Sequence, residues 1–183
     1  MKVKLQHTPH IAQKVAIELN KSGLVRMTKG LEPVAAEAKK VLDESVKQEA
    51  ALEEKVHEIL EANEDAIDEQ NVDDRQLFFM IKKKIAPEFG VILSYEDRFS
   101  DLAHKILDEL YEEDLIHYEI EEIRIKNVIF NAMTSFIKDN DTIEDAVYEK
   151  IKSFKREVIP GTDDYEILHE KLYKEELIKR GMA

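Results

Sequence analysis

The chain has no cysteine and no tryptophan, and its 183 residues include only five glycines and four prolines. Without cysteine there are no disulfides, no thiolate metal sites and no thiol nucleophile. A β-rich fold uses glycine, proline and Asn-Gly pairs at its many turns, so their scarcity argues against sheets. No stretch approaches the roughly 18–20 consecutive apolar residues of a membrane span. The opening residues Met1 to His7 carry no apolar leader, so a cytoplasmic protein without a membrane partner is expected. There is no Gly-rich phosphate loop, no Gly-x-Ser-x-Gly, and none of the six serines neighbours a histidine. Few loops are long enough to carry a site, so the sequence leans away from an enzyme and calls for no cofactor.

What remains is mostly helix former and charge. Apolar residues make up 43% and charged residues 37%, with Glu, Lys, Leu, Ile and Ala prominent, a composition that favours helix. The formal charge of −13 disfavours binding to nucleic acid or anionic lipid over the whole surface. It is unevenly spread. Residues 1–30 hold six Lys or Arg against Glu18 alone, whereas residues 31–74 hold fifteen acids against four lysines. The simplest expectation is internal: the basic first segment packs beside an acidic long helix.

Thr8-Pro9 reads as a helix start, with Thr8 as cap and Pro9 at the first helical position, and Ser22-Gly23 ends that helix. From Leu31 to about Ala66 there is no glycine and only Pro33, near the start. This predicts one long helix of about 50 Å, or two with a kink. Ser45 and Glu49 interrupt its apolar track. Asn71-Val72-Asp73-Asp74 opens a third helix, which Pro87-Glu88-Phe89-Gly90 closes. Ser94-Tyr95-Glu96-Asp97 reads as a capping box. A helix of about 19 residues is expected from Glu119, broken by Asp139-Asn140-Asp141 and followed by a fresh cap at Thr142 to Asp145. Pro160-Gly161 is a stop, and Asp163 or Asp164 begins a last helix ending at Gly181.

Residues 11–27, IAQKVAIELNKSGLVRM, align without a gap over residues 102–118, LAHKILDELYEEDLIHY. Ala12/Ala103, Lys14/Lys105, Glu18/Glu109, Leu19/Leu110 and Leu24/Leu115 are identical. KLYKEELI at 171–178 is a third, partial copy of ELYEEDLI at 109–116. The expected architecture is therefore all-α, with about seven helices: two related three-helix units plus a closing helix. The units span 1–93 and 94–183, pack as one body, and place one long helix in the N-terminal half. The opening HTPHIAQKVAIELNKSGLV together with LAHKILDELYEEDLI resembles bacterial domain-of-unknown-function family 507 over the whole chain. That resemblance implies a cytoplasmic bacterial helical protein of unassigned activity, and it carries over no catalytic residue.

Three functional readings compete. The first is a non-enzymatic helical interaction or structural protein whose partner is another protein or a second copy of itself. The second is a nucleic-acid-associated protein using the basic N-terminal unit, with Lys2, Lys4, Lys14 and Arg26 as contacts. Lys82-Lys83-Lys84 beside Phe78-Phe79, and Lys152, Lys155 and Arg156 beside Phe154, add local positive charge near aromatics. The bland alternative is lysines snorkelling at the rim of a core helix. The third is a metal–carboxylate enzyme. Glu54…His57 and Glu166…His169 each place a carboxylate and an imidazole on one helical face, and two such pairs on facing helices would build a di-metal site. Asp101…His104 is a looser variant, and His7-x-x-His10 lacks further ligands nearby. Asp139, Asp141, Glu144 and Asp145 lack the glycine and distal glutamate of a calcium loop. A solvated, glutamate-rich face and helix capping account for these spacings without any metal.

Overall fold

The structure, a computed structural model, describes residues 3–63, 73–154 and 162–180. It is all-α, with six helices among the described residues: α1 Thr8–Ser22, α2 Leu31–Glu61, α3 Asp74–Ile85, α4 Tyr95–Glu112, α5 Glu122–Lys152 and α6 Asp163–Lys179. A single 3₁₀ turn, Ala86–Phe89, follows α3. Two short strands, β1 Arg26–Met27 and β2 Ile116–His117, pair antiparallel, Arg26 facing His117 and Met27 facing Ile116.

The expected stops and starts are largely where residue chemistry puts them. Gly23 caps α1 in the left-handed region at φ 66°, a conformation that costs glycine nothing. Asp73 caps α3 by accepting from the Arg75 N–H at 2.9 Å. Ser94 caps α4 by accepting from Asp97, and Thr162 caps α6 by accepting from Tyr165. Thr8 differs. It lies inside the first turn, where its hydroxyl sits between the Leu5 carbonyl, at 2.9 Å, and the Asp43 carboxylate of α2. The cap position belongs to His7.

The larger departure is at Asp139-Asn140-Asp141, where no break occurs: α5 runs unbroken for 31 residues. The helical period explains this. Ile125, Ile129, Ala132, Met133, Phe136, Asn140, Ile143, Val147 and Ile151 are buried at spacings of three and four, so Asn140 occupies a core position in an uninterrupted stripe. Asp139 points to the flank and pairs with Lys14 at 2.9 Å, while the Thr142 hydroxyl donates to the Asp139 carbonyl at 2.7 Å within the helix. The helices expected on either side of the break are therefore one. Similarly, α2 is continuous from Leu31 to Glu61, about 46 Å at 1.5 Å per residue. Its expected end near Ala66, the Asn71-Val72 and Pro160-Gly161 signals and the stop at Gly181 lie outside the described residues.

The core follows from how these helices meet. α1 packs against both long helices, α2 and α5, and so does α4, closing a ring of four. Each short helix inserts a small-and-large stripe between its neighbours: Ile11, Ala12, Val15, Ala16 and Leu19 from α1, and Leu102, Ala103, Ile106, Leu107 and Leu110 from α4. Outside the ring, α3 lies on α2 and α6 lies on α5. α3 forms a small second core, in which Leu52, Val56, Ala86 and Val91 meet Phe78, Ile81 and Ile85. The two long helices begin at Leu31 and Glu122, 91 residues apart, and each is 31 residues long. The same spacing separates Gly23 from Asp114, the one non-glycine residue with positive φ among those described, and separates the facing pair Arg26 and His117.

Candidate functional site

Two buried polar nodes fasten the outer helices to the ring. At the first, Ser45, Glu49 and Glu53 lie along one face of α2. Arg98, nearly buried at the start of α4, donates from Nη1 to Glu49 at 2.7 Å, from Nε to the Ser45 hydroxyl at 3.1 Å and from Nη2 to the Ser45 carbonyl at 3.0 Å. Lys82 of α3 reaches in to Glu53 at 2.7 Å and Glu49 at 3.3 Å. Burial, the largest influence on Lys82, pulls its pKa down, but Glu53 and Glu49 together hold it above the ordinary value. Two carboxylates thus face two cations.

The second node, between α5, α6 and the turn before α1, is built from different chemistry. Tyr173 of α6 donates its hydroxyl to the Asn140 side-chain oxygen, and both residues are buried. His7 and His10 approach the Tyr173 ring at 6.3 Å between centroids, and His169 stacks on it at 6.1 Å. His169 Nε2 donates to Glu144 at 2.8 Å. His7 is only 2% exposed, and its Nδ1 accepts the Lys4 backbone N–H at 3.2 Å, which places the neutral ring's proton on Nε2. Burial pushes the Tyr173 hydroxyl well above its ordinary pKa, and Glu144 adds to the rise. Burial also lowers the pKa of His7 and His10. A cleft of about 400 Å3 opens beside this node, lined by His10, His169, Tyr173, Glu166, Glu170 and Lys174 among others.

The outer face of α3 is a third feature. Arg75, Gln76, Phe79, Met80, Lys83 and Lys84 are all exposed, Phe79 at 62% and Met80 at 68%. At 100° per residue they share one half of the helix. Leu77, Phe78, Ile81, Lys82 and Ile85 share the other half, toward α2. Among the described side chains this half of the helix holds two large apolar residues and three cations.

The residues singled out in the sequence fall as follows. Lys2 lies outside the described residues, as do Lys155 and Arg156. Lys4 is exposed in the turn before α1, Lys14 is engaged by Asp139, and Arg26 is exposed on β1 beyond the far end of α1. Glu54 and His57 lie on the exposed side of α2, His57 against Phe78 at 5.1 Å. Glu166 and His169 lie on α6, which packs against α5. Among the described residues no three or more His, Asp or Glu side chains gather to hold a metal ion, so these four do not form such a group. Asp101 pairs with Lys105 and His104 with Asp108. Asp139, Asp141, Glu144 and Asp145 are helical, so no loop surrounds them. Neither polar node was legible as a site. The traces of the first are Ser45 and Glu49 interrupting an apolar track and Lys82 within a basic run.

Helix on helix around one ring, with two outer helices and no helix long and apolar enough among the described residues to cross a membrane, defines the class: an all-α helical protein. The chain belongs to the family described as "Protein of unknown function (DUF507)", whose model matches residues 1–182. No curated protein matches it significantly.

Proposed function

We propose that the chain is a non-enzymatic helical interaction protein that engages another protein, or a second copy of itself, through the outer face of α3. The carrying observation is the exposure of Phe79 and Met80 beside Arg75, Lys83 and Lys84. Single exposed apolar residues are ordinary, but two large neighbours flanked by cations make a patch that another surface can desolvate. In a chain of net charge −13 this basic island favours a partner presenting acids around an apolar centre. The cysteine-free composition supports a cytoplasmic setting. The same proposal treats 1–93 and 94–183 as two copies of one unit. Its support is the constant spacing of 91 residues between the long helices, the left-handed caps and the paired strands.

The test captures tagged wild-type protein and the Phe79→Glu/Met80→Glu variant from the native host, with and without nuclease. The expected result is a polypeptide retained through nuclease by the wild type and lost by the variant, with helical circular dichroism unchanged. Retention that nuclease abolishes would move the nucleic-acid reading ahead. Equal retention by both proteins would remove α3 from the account.

A further inference from the structure

The two polar nodes occupy matching places. Glu49 and Asn140, Lys82 and Tyr173, and Arg98 and His7 are each 91 residues apart, and in each node the first two come from a long helix and its outer helix. The third member comes from the residues just before or at the start of a short ring helix. They have diverged in one consistent direction. Where the first node has an ammonium, a guanidinium and the Glu49 carboxylate, the second has a phenol, an imidazole and an amide, while Glu53 and Glu144, also 91 residues apart, give each node a carboxylate. Phe78 of α3 is matched by a further imidazole, His169 of α6. The first node contains no imidazole. The second contains groups whose charge changes near neutrality.

We propose that the second node is a proton-sensitive latch: protonation of His7 and His10 unseats α6 from the ring, while α3, held by a node without imidazole, stays docked. The geometry supplies the reason. His7 is buried and uses Nδ1 as an acceptor for the Lys4 N–H, so a proton on Nδ1 removes that bond and sets two donors face to face. A cation on the buried His7 ring meets Glu144, whose charge favours it, and Lys4 and His10, whose charges oppose it. From α5, Glu144 is engaged with His169, and Asn140 and Phe136 are neutral. From α6 come Tyr173, whose pKa is raised, Lys174, which repels His10, and Glu166 and Glu170, which line the cleft beside His10. The turn before α1 contributes Lys4, also repulsive. Asp43 of α2 meets the Thr8 hydroxyl and Lys39 instead of the rings.

The sign of the pH effect follows. Burial, opposed by Glu144 and reinforced by Lys4 and His10, lowers the pKa of His7, and burial with Lys174 lowers that of His10. A histidine whose pKa is depressed on docking stabilises the docked state above its ordinary value of 6.5, and that stabilisation is lost as pH falls below it. Undocking would uncover Leu172 and Leu177 of α6 together with Ile143 and Val147 of α5, all buried in the closed state. Acid would thereby present an apolar surface distinct from the α3 face.

Hydrogen exchange read by mass spectrometry on the full chain tests this at pH 7.5, 6.5 and 5.5, with rates corrected for intrinsic exchange. Peptides covering α6 should lose protection by about tenfold or more between pH 7.5 and 5.5, while α3 changes less than about twofold. In His7→Gln/His10→Gln the protection of α6 should no longer depend on pH. Unchanged α6 protection, or parallel loss in α6 and α3, would overturn the latch, and both outcomes are read on the wild type alone. Proton NMR of the histidine C2–H signals gives the second check. His7 and His10 must titrate in the window where α6 loses protection, and titration outside it contradicts the proposal.

Discussion

A glutamate in the middle of an apolar stripe must either turn away or bring its counter-charges with it, and Glu49 does the second. It is buried with Arg98 on one oxygen and Lys82 on the other, so removing it takes the carboxylate from the Arg98 guanidinium, while Lys82 keeps Glu53 at 2.7 Å. Breaking a buried pair from one side costs about 3–5 kcal/mol, because the surviving charge is uncompensated. Glu49→Ala should lower stability by that amount in urea denaturation. Lys14→Ala, which removes a half-exposed pair with Asp139, should cost less than about 1 kcal/mol. The left-handed cap at Gly23 gives another residue-scale prediction. A Cβ there meets nothing within 4 Å, so the penalty of Gly23→Ala is that of the backbone conformation alone, about 1 kcal/mol. This cap was legible because glycine in that conformation has a local cause. Glu49 was visible only as an interruption, because its partners are 33 and 49 residues away in sequence.

Among the elements, α5 separates local propensity from tertiary context. Asp-Asn-Asp favours turns through side-chain bonds to nearby backbone, so a local reading breaks the chain there. The structure supplies each polar side chain with another use: Asn140 receives the Tyr173 hydroxyl and Asp139 takes Lys14. With those demands met, the apolar period from Ile125 to Ile151 determines the outcome. Because Asp141 is exposed within a continuous helix, Asp141→Pro should cost about 3 kcal/mol or more, measured as a shift in the urea midpoint. A break at that point would tolerate proline at little cost. The period was readable from sequence throughout, and only its precedence over the turn-forming residues was not. The helix class, the cap at Ser94 and the acidic opening that contains the Asp73 cap rest on local chemistry, whereas the α1 cap falls one residue before the expected Thr8, at His7.

For the whole molecule, the ring binds the two halves of the chain together. α1 from the first half packs on α5 of the second, and α4 from the second packs on α2 of the first. Neither half can lose its structure without stripping the other's core, so the ring should unfold in one transition, coincident by circular dichroism and tyrosine fluorescence. Two separated transitions, each of about half the amplitude, would mean the halves are independent. Cross-packing of this kind leaves little trace in a sequence, since it depends on which apolar face meets which. Residues 11–27 and 102–118, which align without a gap, fall on α1 with β1 and on α4 with β2. The proposed interaction surface is the least readable feature. Lys82-Lys83-Lys84 and Phe78-Phe79 look uniform in sequence, yet the helix turns Phe78 and Lys82 inward and leaves Phe79, Lys83 and Lys84 outside.

That outward face is the centre of the functional account, and a photo-crosslinking amino acid at position 79 tests it most directly in living cells. The account predicts a discrete crosslinked polypeptide, either a second copy of the chain or one other protein, that Lys83→Glu/Lys84→Glu weakens. The same probe at exposed position 148 on α5 should give none. Crosslinks no stronger at 79 than at 148, or adducts that nuclease removes, would contradict it.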